Sequence, residues 1–397
     1  MKMQDLQKIT GYMGGLTPSA TLAITAKAKA LKAEGLDVCS MAAGEPDFDT
    51  PKAVKDACIQ ALNESKVYYT PASGLPELRK LVAKKFTEEN NIPCTFEQCV
   101  VAPGAKFSVF SAIAALCGPG DEVIIPAPFW LSYPEMVDTT GAKPVIVNTK
   151  AENNFELVPE ELEAAVTEKT KLMILTTPSN PTGAVYSREK LEAIANIAVK
   201  HNFMILADEI YEKLVYDADK PHISIASLSE EIRNLTITVN GCSKAYSMTG
   251  WRIGFLTAPL WLAKRIIAFQ SHTTSNVTTF AQYGAIAALE GKADADIENM
   301  RQAFAKRRDL IYSLVSKIDG IKCLRPQGAF YLLCDISAFG MGSDEFCTRL
   351  LEEEKLAAIP CSSFGADNMI RFSYACSEEN IRKAAERLQS FVAKLAK

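Results

Sequence analysis

The 397-residue sequence lacks the motifs of several large protein classes. It has only three histidines, His201, His222 and His272, and their spacing fits neither a metal site nor a catalytic triad. No GxGxxG follows a first strand and GxxxxGK(S/T) is absent, which argues against a dinucleotide site and a P-loop. No apolar run approaches the roughly 18 residues that a membrane span needs. The chemistry of this chain must therefore come from other residues.

Charge of one sign is not concentrated anywhere in the chain. Lysine and arginine number 43 against 47 acidic residues, a net charge of -4, so we expect no nucleic-acid partner. The opening MKMQDLQKIT lacks an apolar signal core, which predicts a cytoplasmic protein. The eleven cysteines show no CxxC spacing, and we interpret them as free thiols in a reducing compartment rather than as disulfides or zinc ligands.

The composition is that of a folded globular protein, with 48% apolar and 23% charged residues. The length is enough for two or three domains. Between about Cys99 and Pro259, short apolar runs alternate with helical stretches, which favours a mainly parallel sheet flanked by helices. We expect a large α/β domain over residues 48–295 and a smaller α+β domain formed by residues 1–47 and 296–397.

Local patterns predict the individual elements. A capped helix is expected from Thr17 to Gly35, and a strand-like run from Val38 to Ala43. The central strand Leu235 to Val239 is expected to end in a turn at Asn240-Gly241. The other strands expected in the large domain are Val100-Val101, Glu122 to Pro126, Pro144 to Val147, Lys171 to Thr176, Phe203 to Ala207 and Gly254 to Ala258. In the smaller domain, strands are expected at Ile321 to Leu324, Phe330 to Asp335, Leu356 to Pro360 and Ile370 to Tyr374.

Four predicted strands end in polar or glycine-containing loops, near Gly104, Asn180, Asp208 and Lys244. Each loop alone has an ordinary interpretation. The turn at Gly104 can offer N–H groups to a phosphate or simply connect a strand to a helix. The Asn180 loop can be a plain turn, Asp208 can cap a helix, and Lys244 can be a solvated surface charge.

Together the four loops favour a common site, because the carboxyl ends of parallel strands share the edge of the sheet where ligands bind. A buried carboxylate at Asp208 requires a cation or hydrogen bonds. Tyr211 lies one helical turn beyond it, and Lys244 is able to form an imine. A phosphate cradle, an acidic partner and such a lysine suit pyridoxal phosphate, whose enzymes use these groups.

Four ordered motifs carry a resemblance to a known family. They read Asn180-Pro-Thr-Gly, Asp208-Glu-Ile-Tyr211, Ser243-Lys-Ala-Tyr-Ser-Met-Thr-Gly-Trp-Arg252-Ile-Gly and Arg371-Phe-Ser-Tyr. Over essentially its whole length the chain resembles the class I pyridoxal-phosphate aminotransferases of fold type I. It is most similar to their prokaryotic-type aspartate aminotransferase branch, through TPSATLAI, AGEPDFDTP, YTPASGLPELR and PAPFWLSYPEM.

The resemblance implies roles for the matching residues. Lys244 would hold the cofactor through an imine and then move a proton at the substrate α-carbon. Asp208 would pair with the pyridinium nitrogen, Tyr211 and Asn180 would hydrogen-bond the phenolic oxygen, and Trp130 would stack on the ring. The phosphate would be bound by Gly104, Ala105, Lys106, Ser243 and Arg252, and by Tyr69 from the neighbouring subunit of a homodimer.

The resemblance also implies the substrates, which are amino acids and 2-oxo acids. Arg371 would clamp the substrate α-carboxylate beside Gly44, and Lys106 would contact a distal carboxylate. Trp130 and Asn180 would also border the substrate. The implied reaction moves the amino group of L-aspartate to 2-oxoglutarate by a ping-pong mechanism, without a metal and without a membrane partner.

Three positions depart from the family pattern, namely Phe107 beside Lys106, Thr17 and Cys361. Phe107 is expected to change the shape of a side pocket, and Thr17 argues mildly against prephenate as a substrate. The alternatives on the same fold are an aromatic or prephenate aminotransferase and a β-lyase. A non-catalytic cofactor sensor is a different class, and we expect the short N-terminal segment to leave no room for the DNA-binding helices that such proteins carry.

Overall fold

A computed structural model of the protein describes residues 15–18 and 20–395. The parts of the predicted small domain at 1–14, 19 and 396–397 lie outside the described residues. The described strands, in chain order, are β1 (Cys39–Ser40), β2 (Cys99–Ala102), β3 (Glu122–Ala127), β4 (Lys143–Asn148), β5 (Thr170–Thr176), β6 (Met204–Asp208), β7 (Thr236–Gly241), β8 (Gly254–Thr257), β9 (Lys322–Cys323), β10 (Tyr331–Asp335), β11 (Leu356–Ala357), β12 (Ile359–Pro360) and β13 (Met369–Ser373).

The α-helices of the same ranges are α1 (Ala20–Ala33), α2 (Lys52–Asn63), α3 (Pro76–Glu88), α4 (Ala105–Leu116), α5 (Ser132–Asp138), α6 (Pro159–Ala165), α7 (Arg188–His201), α8 (Glu230–Arg233), α9 (Cys242–Ala245), α10 (Leu260–Ser271), α11 (Thr279–Ala287), α12 (Asp294–Val315), α13 (Ser343–Glu354) and α14 (Glu378–Leu395). None of the helices in the described ranges combines the length and apolar character needed to cross a bilayer. All eleven cysteines are free thiols.

The large sheet has seven strands in the order β2-β8-β7-β6-β5-β3-β4. Strand β8 runs antiparallel to both neighbours, and the remaining pairs are parallel, which confirms the prediction of a mainly parallel α/β sheet. Strands β6 and β7 are buried along their whole length because helices cover both faces of the sheet. Consequently, they read as continuous apolar runs and not as alternating ones.

The turn predicted at Asn240-Gly241 is wrong. Strand β7 continues through both residues, which pair with Phe255 and Gly254 of β8. A Cβ atom on Gly241 would lie 2.9 Å from the Cα atom of Gly254, so the glycine serves close strand packing and not a turn. Helix α9, which carries Lys244, begins directly after the strand.

The smaller sheet is antiparallel, in the order β12-β13-β10-β9, and a two-stranded parallel sheet pairs β1 with β11. The single strand predicted at Leu356 to Pro360 is two strands, because the chain changes partner at Ala358 from β1 to β13. The strand predicted at Val38 to Ala43 is only the two residues of β1, and the first helix is Ala20–Ala33, shorter than predicted.

One buried cluster joins this smaller sheet to the large one. It includes Tyr211, which follows β6, together with Phe304 of α12 and Phe330 and Tyr374, which flank strands β10 and β13. The rings of Phe330 and Tyr211 lie 5.5 Å apart at 83°. This aromatic packing contributes about 0.5–1.5 kcal/mol per pair beyond burial. It holds the smaller sheet against the edge of the large sheet where Asp208 ends its strand.

Candidate active site

A cavity of about 270 Å³ lies where the carboxyl ends of the large-sheet strands meet the smaller sheet. Strands β5, β6 and β7 are parallel, and β2 points the same way because β8 is antiparallel to both β2 and β7. The loops that follow these four strands therefore converge on one edge. Eleven of the thirteen predicted site residues line the cavity: Gly44, Ala105, Lys106, Trp130, Asn180, Asp208, Tyr211, Ser243, Lys244, Arg252 and Arg371.

Asp208 is the last residue of β6 and is 5% exposed. Burial raises the pKa of its carboxyl group to about 6, against the opposing hydrogen bonds from Tyr133 and the Ile210 amide. Tyr133 donates to Oδ2 at 2.8 Å, and the Ile210 N–H donates to Oδ1 at 3.2 Å. Through Oδ1, the carboxyl group thus accepts a hydrogen bond from a backbone N–H of the turn that follows β6. It also faces the cavity in a place where a cation would stabilise its charged form.

Lys244 lies in α9, immediately after β7, and its ammonium group donates to the carbonyl of Gly44. Burial lowers the pKa of Lys244 to about 8, and the charges of Arg371 and Arg252 act in the same direction, while Glu45 opposes them. A lysine with this pKa has a substantial neutral fraction near physiological pH. A neutral amine is the form that attacks a carbonyl carbon.

The turn after β2 is shaped by close contacts. Gly104 has a φ of +86°, which favours glycine, and a Cβ atom there would collide with the guanidinium group of Arg252. A Cβ atom on Gly254 would likewise meet the backbone of Gly104 and Ala105. Helix α4 begins at Ala105, so its first N–H groups and its dipole favour an anion beside Arg252.

Arg371, in β13, is 2% exposed. Its Nη1 donates to Oδ1 of Asn180 at 2.8 Å, while its Nε and Nη2 have no partner within residues 15–18 and 20–395. The guanidinium carbon lies 4.3 Å from the ring centre of Tyr331, which holds the group in place. A buried guanidinium with free donors is costly unless a bound anion accepts from it, and a carboxylate fits that fork in bidentate fashion.

The aromatic side chains of Tyr211 and Trp130 complete the walls of the cavity. The Tyr211 hydroxyl forms a 2.8 Å hydrogen bond with that of Tyr331, and burial raises the pKa of Tyr211 well above its ordinary value. Lys106 is more exposed. Its Nζ lies 4.7 Å from the ring centre of Trp130 and 3.4 Å from the Ser132 hydroxyl.

Two predicted site residues do not line the cavity of this single chain. Gly104 lies behind the cavity wall, where its lack of a side chain leaves room for the guanidinium group of Arg252. Tyr69 is 92% exposed and lies outside the cavity. Phe107, which is expected to change the shape of a side pocket, does not line this cavity and packs on Phe269 with ring centres 6.2 Å apart.

The other two departures also have a place in the structure. Thr17 lies at the rim, where its hydroxyl donates to Glu135 of α5 at 2.8 Å. Cys361 is fully buried after β12, in an apolar cluster that includes Phe364, and burial raises the pKa of its thiol to about 12. Cys361 therefore has a packing role, away from the cavity lining.

Sequence reasoning missed two residues that contact the predicted ones, Tyr133 and Tyr331. Tyr133 bonds Asp208 and also lies 2.7 Å from the Thr176 hydroxyl, and Tyr331 bonds Tyr211. Tyr133 comes three residues after Trp130 within PAPFWLSYPEM. Because that spacing is about one helical turn from a predicted site residue, the sequence did contain a signal for Tyr133. Tyr331 offered none, because its pattern is that of an ordinary strand residue.

The cavity joins an anion-binding turn, a buried acid, a buried amine and an arginine with free donors. The fold and this set of groups define an α/β transferase of fold type I. A family model described as "Aminotransferase class I and II" matches residues 37–388, and the chain belongs to that family.

The individual relatives are similar over nearly their full length. The aspartate aminotransferase of Bacillus subtilis is 45% identical over 98% of this chain and 99% of its own. A probable aspartate/prephenate aminotransferase of Aquifex aeolicus is 47% identical over 94% and 96%. The solved structure of the Thermus thermophilus aspartate aminotransferase with maleate has a TM-score of 0.92 at 42% identity, with 96% and 98% coverage. These findings confirm the predicted family, fold class and enzyme class.

Proposed function

We propose that the protein transfers the amino group of L-aspartate to 2-oxoglutarate, with pyridoxal phosphate as cofactor. One observation carries the proposal. Besides Arg252 at the anion-binding turn, the cavity that holds Lys244 is bordered by two further cations, the buried Arg371 and the more exposed Lys106. Two carboxylates on one short substrate would satisfy these two cations. The names of the relatives from Bacillus subtilis and Thermus thermophilus support the same substrate.

The described residues fit the cofactor. The carboxyl group of Asp208, whose pKa burial raises to about 6, suits a ring nitrogen that carries a proton. Tyr211 and Asn180 would donate to the phenolic oxygen, and Trp130 would cover the ring. The phosphate would be held by Gly104, Ala105, Lys106, Ser243 and Arg252. When bound, pyridoxal phosphate supplies a ring that accepts electrons from the substrate α-carbon.

Lys244 would have two tasks. Its depressed pKa supplies a neutral amine for covalent attachment of the cofactor. Once substrate displaces it, the same amine would remove the proton from the α-carbon of the amino acid. In the second half-reaction it would deliver a proton to the α-carbon of the 2-oxo acid. The contact with the carbonyl of Gly44 keeps Nζ on the cavity side of α9.

Arg371 would bind the α-carboxylate of the substrate through the donors that have no partner among the described residues. Asn180 orients the guanidinium group through its side-chain oxygen. Lys106 would bind the distal carboxylate from the exposed end. Arg371 belongs to the smaller sheet, whereas Lys244 lies in the helix that follows a strand of the large sheet. We therefore also propose the domain division 48–295 against 1–47 with 296–397, with substrate bound between the two.

A panel of amino donors tests this proposal. Purified protein loaded with pyridoxal phosphate is expected to use aspartate and glutamate far better than alanine or phenylalanine, with 2-oxoglutarate or oxaloacetate as acceptor. Use of prephenate as acceptor would favour the function named for the Aquifex relative. Preference for phenylalanine as donor would indicate an aromatic aminotransferase. Release of ammonia and pyruvate would indicate a β-lyase. Protein that stays colourless with added pyridoxal phosphate would contradict the whole proposal.

We further propose a cytoplasmic homodimer in which the partner subunit's Tyr69 reaches the phosphate. Tyr69 and Tyr68 are 92% and 78% exposed, beside the exposed Val67, Ile59 and Leu62, which together offer an apolar surface for a second copy. The eleven free thiols suit a reducing compartment.

Subunit complementation tests the shared site. Lys244→Ala and Tyr69→Ala dimers would each be weakly active, but a hybrid of the two has one site with both native residues. Mixing after mild dissociation is therefore expected to restore activity. A mixture no more active than the sum of its parts would show that each subunit uses its own Tyr69 or none.

A further inference from the structure

A cluster of charged and polar side chains is buried behind the turn that carries Asp208 and Tyr211. None of its members lines the cavity. Glu209 and Glu212 belong to the turn itself and directly follow the two predicted cofactor ligands. The buried charge cluster consists of Lys85, Asn90, Glu209, Glu212, His222 and Ser224.

Asn90 is the centre of the hydrogen bonding. Its amide nitrogen donates to Glu212 at 2.6 Å and to the Ser224 hydroxyl at 3.0 Å, and its oxygen accepts from Lys85 at 2.6 Å. Ser224 in turn donates to Glu209 at 2.6 Å, and Lys85 forms an ion pair with Glu212. The cluster thus ties helix α3 to both glutamates of the turn.

The charges of the cluster balance only if it holds one more cation. The side chains of Glu209, Glu212 and Lys85 are 0%, 6% and 4% exposed, so two carboxylates face a single ammonium group. Buried charge without compensation is strongly destabilising. His222 is 9% exposed, and its Nε2 lies 3.0 Å from Glu209, at ion-pair distance although poorly oriented for a hydrogen bond. A proton on His222 would make the cluster neutral.

We infer that His222 is protonated at neutral pH and that the buried charge cluster is a positioning device, which fixes Asp208 and Tyr211 from behind. The second part of the inference rests on the proposed function, since it takes those two residues as cofactor ligands. Asp208 and Glu209 are adjacent, and so are Tyr211 and Glu212. Any shift of the two glutamates would therefore move the groups that face the cavity.

The electrostatics agree with this geometry. Burial acts to lower the pKa of His222, but the nearby charges of Glu209 and Glu212 outweigh burial and the opposing charge of Lys85, so the pKa lies above its ordinary value. Farther out, Glu89 lies 3.8 Å from Lys85 and 2.5 Å from Lys213, which leaves that pair balanced. The stability that His222 contributes should be present at low pH and disappear as the pH rises through its raised pKa.

A divalent metal is the competing occupant, because ligand atoms of Glu209, Glu212 and His222 lie within 4.8 Å of one another. The ammonium group of Lys85 already compensates one carboxylate. A divalent ion with neutral His222 would leave the cluster with a net positive charge, whereas a proton leaves it neutral. The proton is therefore the better fit.

Histidine titration by NMR of the cofactor-free protein tests the charge of the cluster. The chain has three histidines, and the exposed His201 and His272 can be assigned with His201→Gln and His272→Gln, which leaves His222 by elimination. We expect His222 to titrate above the ordinary value of about 6.5, and Glu212→Gln to lower it. A His222 signal that is mainly that of the neutral ring at pH 7 would overturn the inference. So would a stoichiometric metal that survives dialysis and is lost in His222→Gln.

The positioning role needs a readout at the cofactor. In protein loaded with pyridoxal phosphate, the pH midpoint of the visible absorption should rise by about half a unit in His222→Gln, because a nearby positive charge is lost. His201→Gln is the control and should leave the midpoint unchanged. Equal midpoints in the two variants would refute positioning. Protein that binds no cofactor would refute the proposed function, while the titration of His222 would still decide the charge of the cluster.

Discussion

The two ends of the cavity are built differently, although each presents a cation. Arg371 is 2% exposed and is held by Asn180 and by the face of Tyr331 at 4.3 Å. Lys106 is the more exposed of the two cations and lies against Trp130 and Ser132. The first cation belongs to a central strand of the smaller sheet, and the second to the first turn of a helix.

This difference separates reaction class from substrate choice. A buried guanidinium with free donors pays for its desolvation only when a carboxylate binds, so it selects strongly for the α-carboxylate that all amino-acid substrates share. An exposed ammonium group is screened by water and salt, so it contributes less and is more easily replaced. We therefore expect the Arg371 end to be required for all substrates, and the Lys106 end only for dicarboxylic ones.

The largest effect is expected for a substitution of Lys244, which lies in the cavity with both cations. Lys244→Ala removes the amine that both binds the cofactor covalently and moves the α-proton, so turnover should fall by roughly 10⁴-fold or more for every substrate. Phosphate contacts should still retain the cofactor non-covalently. Exposed Lys169→Ala is the matched control. Near-normal activity in Lys244→Ala would remove this residue from the centre of the comparison.

Arg371→Lys tests the buried end. Lysine keeps the charge but loses the planar fork and the stacking on Tyr331, so kcat/KM should fall by about 10²- to 10³-fold for aspartate and alanine alike. Cofactor affinity should change little. Arg188→Lys, on the exposed face of α7, is the control. A loss confined to aspartate would mean that Arg371 reads the distal carboxylate.

The pKa of Lys244 gives a pH prediction. Because only the neutral amine attacks, the rate at which cofactor-free protein gains covalently attached pyridoxal phosphate should rise through about pH 8. The neutral fraction, and with it the rate, should increase about tenfold between pH 7 and pH 9. Stopped-flow absorbance after mixing gives the midpoint. A midpoint near 10.5 would show that burial does not depress this pKa.

The sequence was most informative where one local segment performs a complete task. The apolar runs predicted the strands of the large sheet, and the loops at Gly104, Asn180, Asp208 and Lys244 do meet in one cavity. That convergence followed from strand direction alone, since parallel strands place their carboxyl ends together. The assignment of Arg371 came from the resemblance, because nothing local distinguishes it from other strand arginines.

Features made by packing between distant segments were not predictable in this way. Asn240-Gly241 is typical of a turn, but pairing with Phe255 and Gly254 keeps it in the sheet. The histidine spacing gave no reason to single out His222, because its ion-pair partner Glu209 and the other cation of the cluster, Lys85, lie in distant parts of the sequence. Such clusters depend on which helix packs behind a turn, and a pattern along the chain does not contain that information.

Lys106→Ala tests the exposed end, where a smaller and more selective effect is expected. Aspartate should lose roughly 3- to 10-fold in kcat/KM, as for a partly screened ion pair, while alanine and phenylalanine should change by less than about twofold. Lys106→Arg should retain part of the preference. Since the charge is screened by salt, the loss should shrink at high ionic strength. Equal losses for all three donors would place the distal carboxylate elsewhere.

The smallest effect is expected at the outer rim of the same end. Thr17 donates to Glu135, which lies one helical turn beyond Ser132, the residue that contacts Lys106. Thr17→Ala removes one exposed hydrogen bond, so stability should fall by no more than about 1 kcal/mol. Freed from Thr17, Glu135 would place its negative charge nearer to Lys106, and kcat/KM for aspartate should fall by less than about threefold. Thermal unfolding and the donor panel measure both. If kcat/KM for aspartate fell as much in Thr17→Ala as in Lys106→Ala, the Lys106 end would depend on a fixed rim. The contrast between a fixed Arg371 end and an adaptable Lys106 end would then fail.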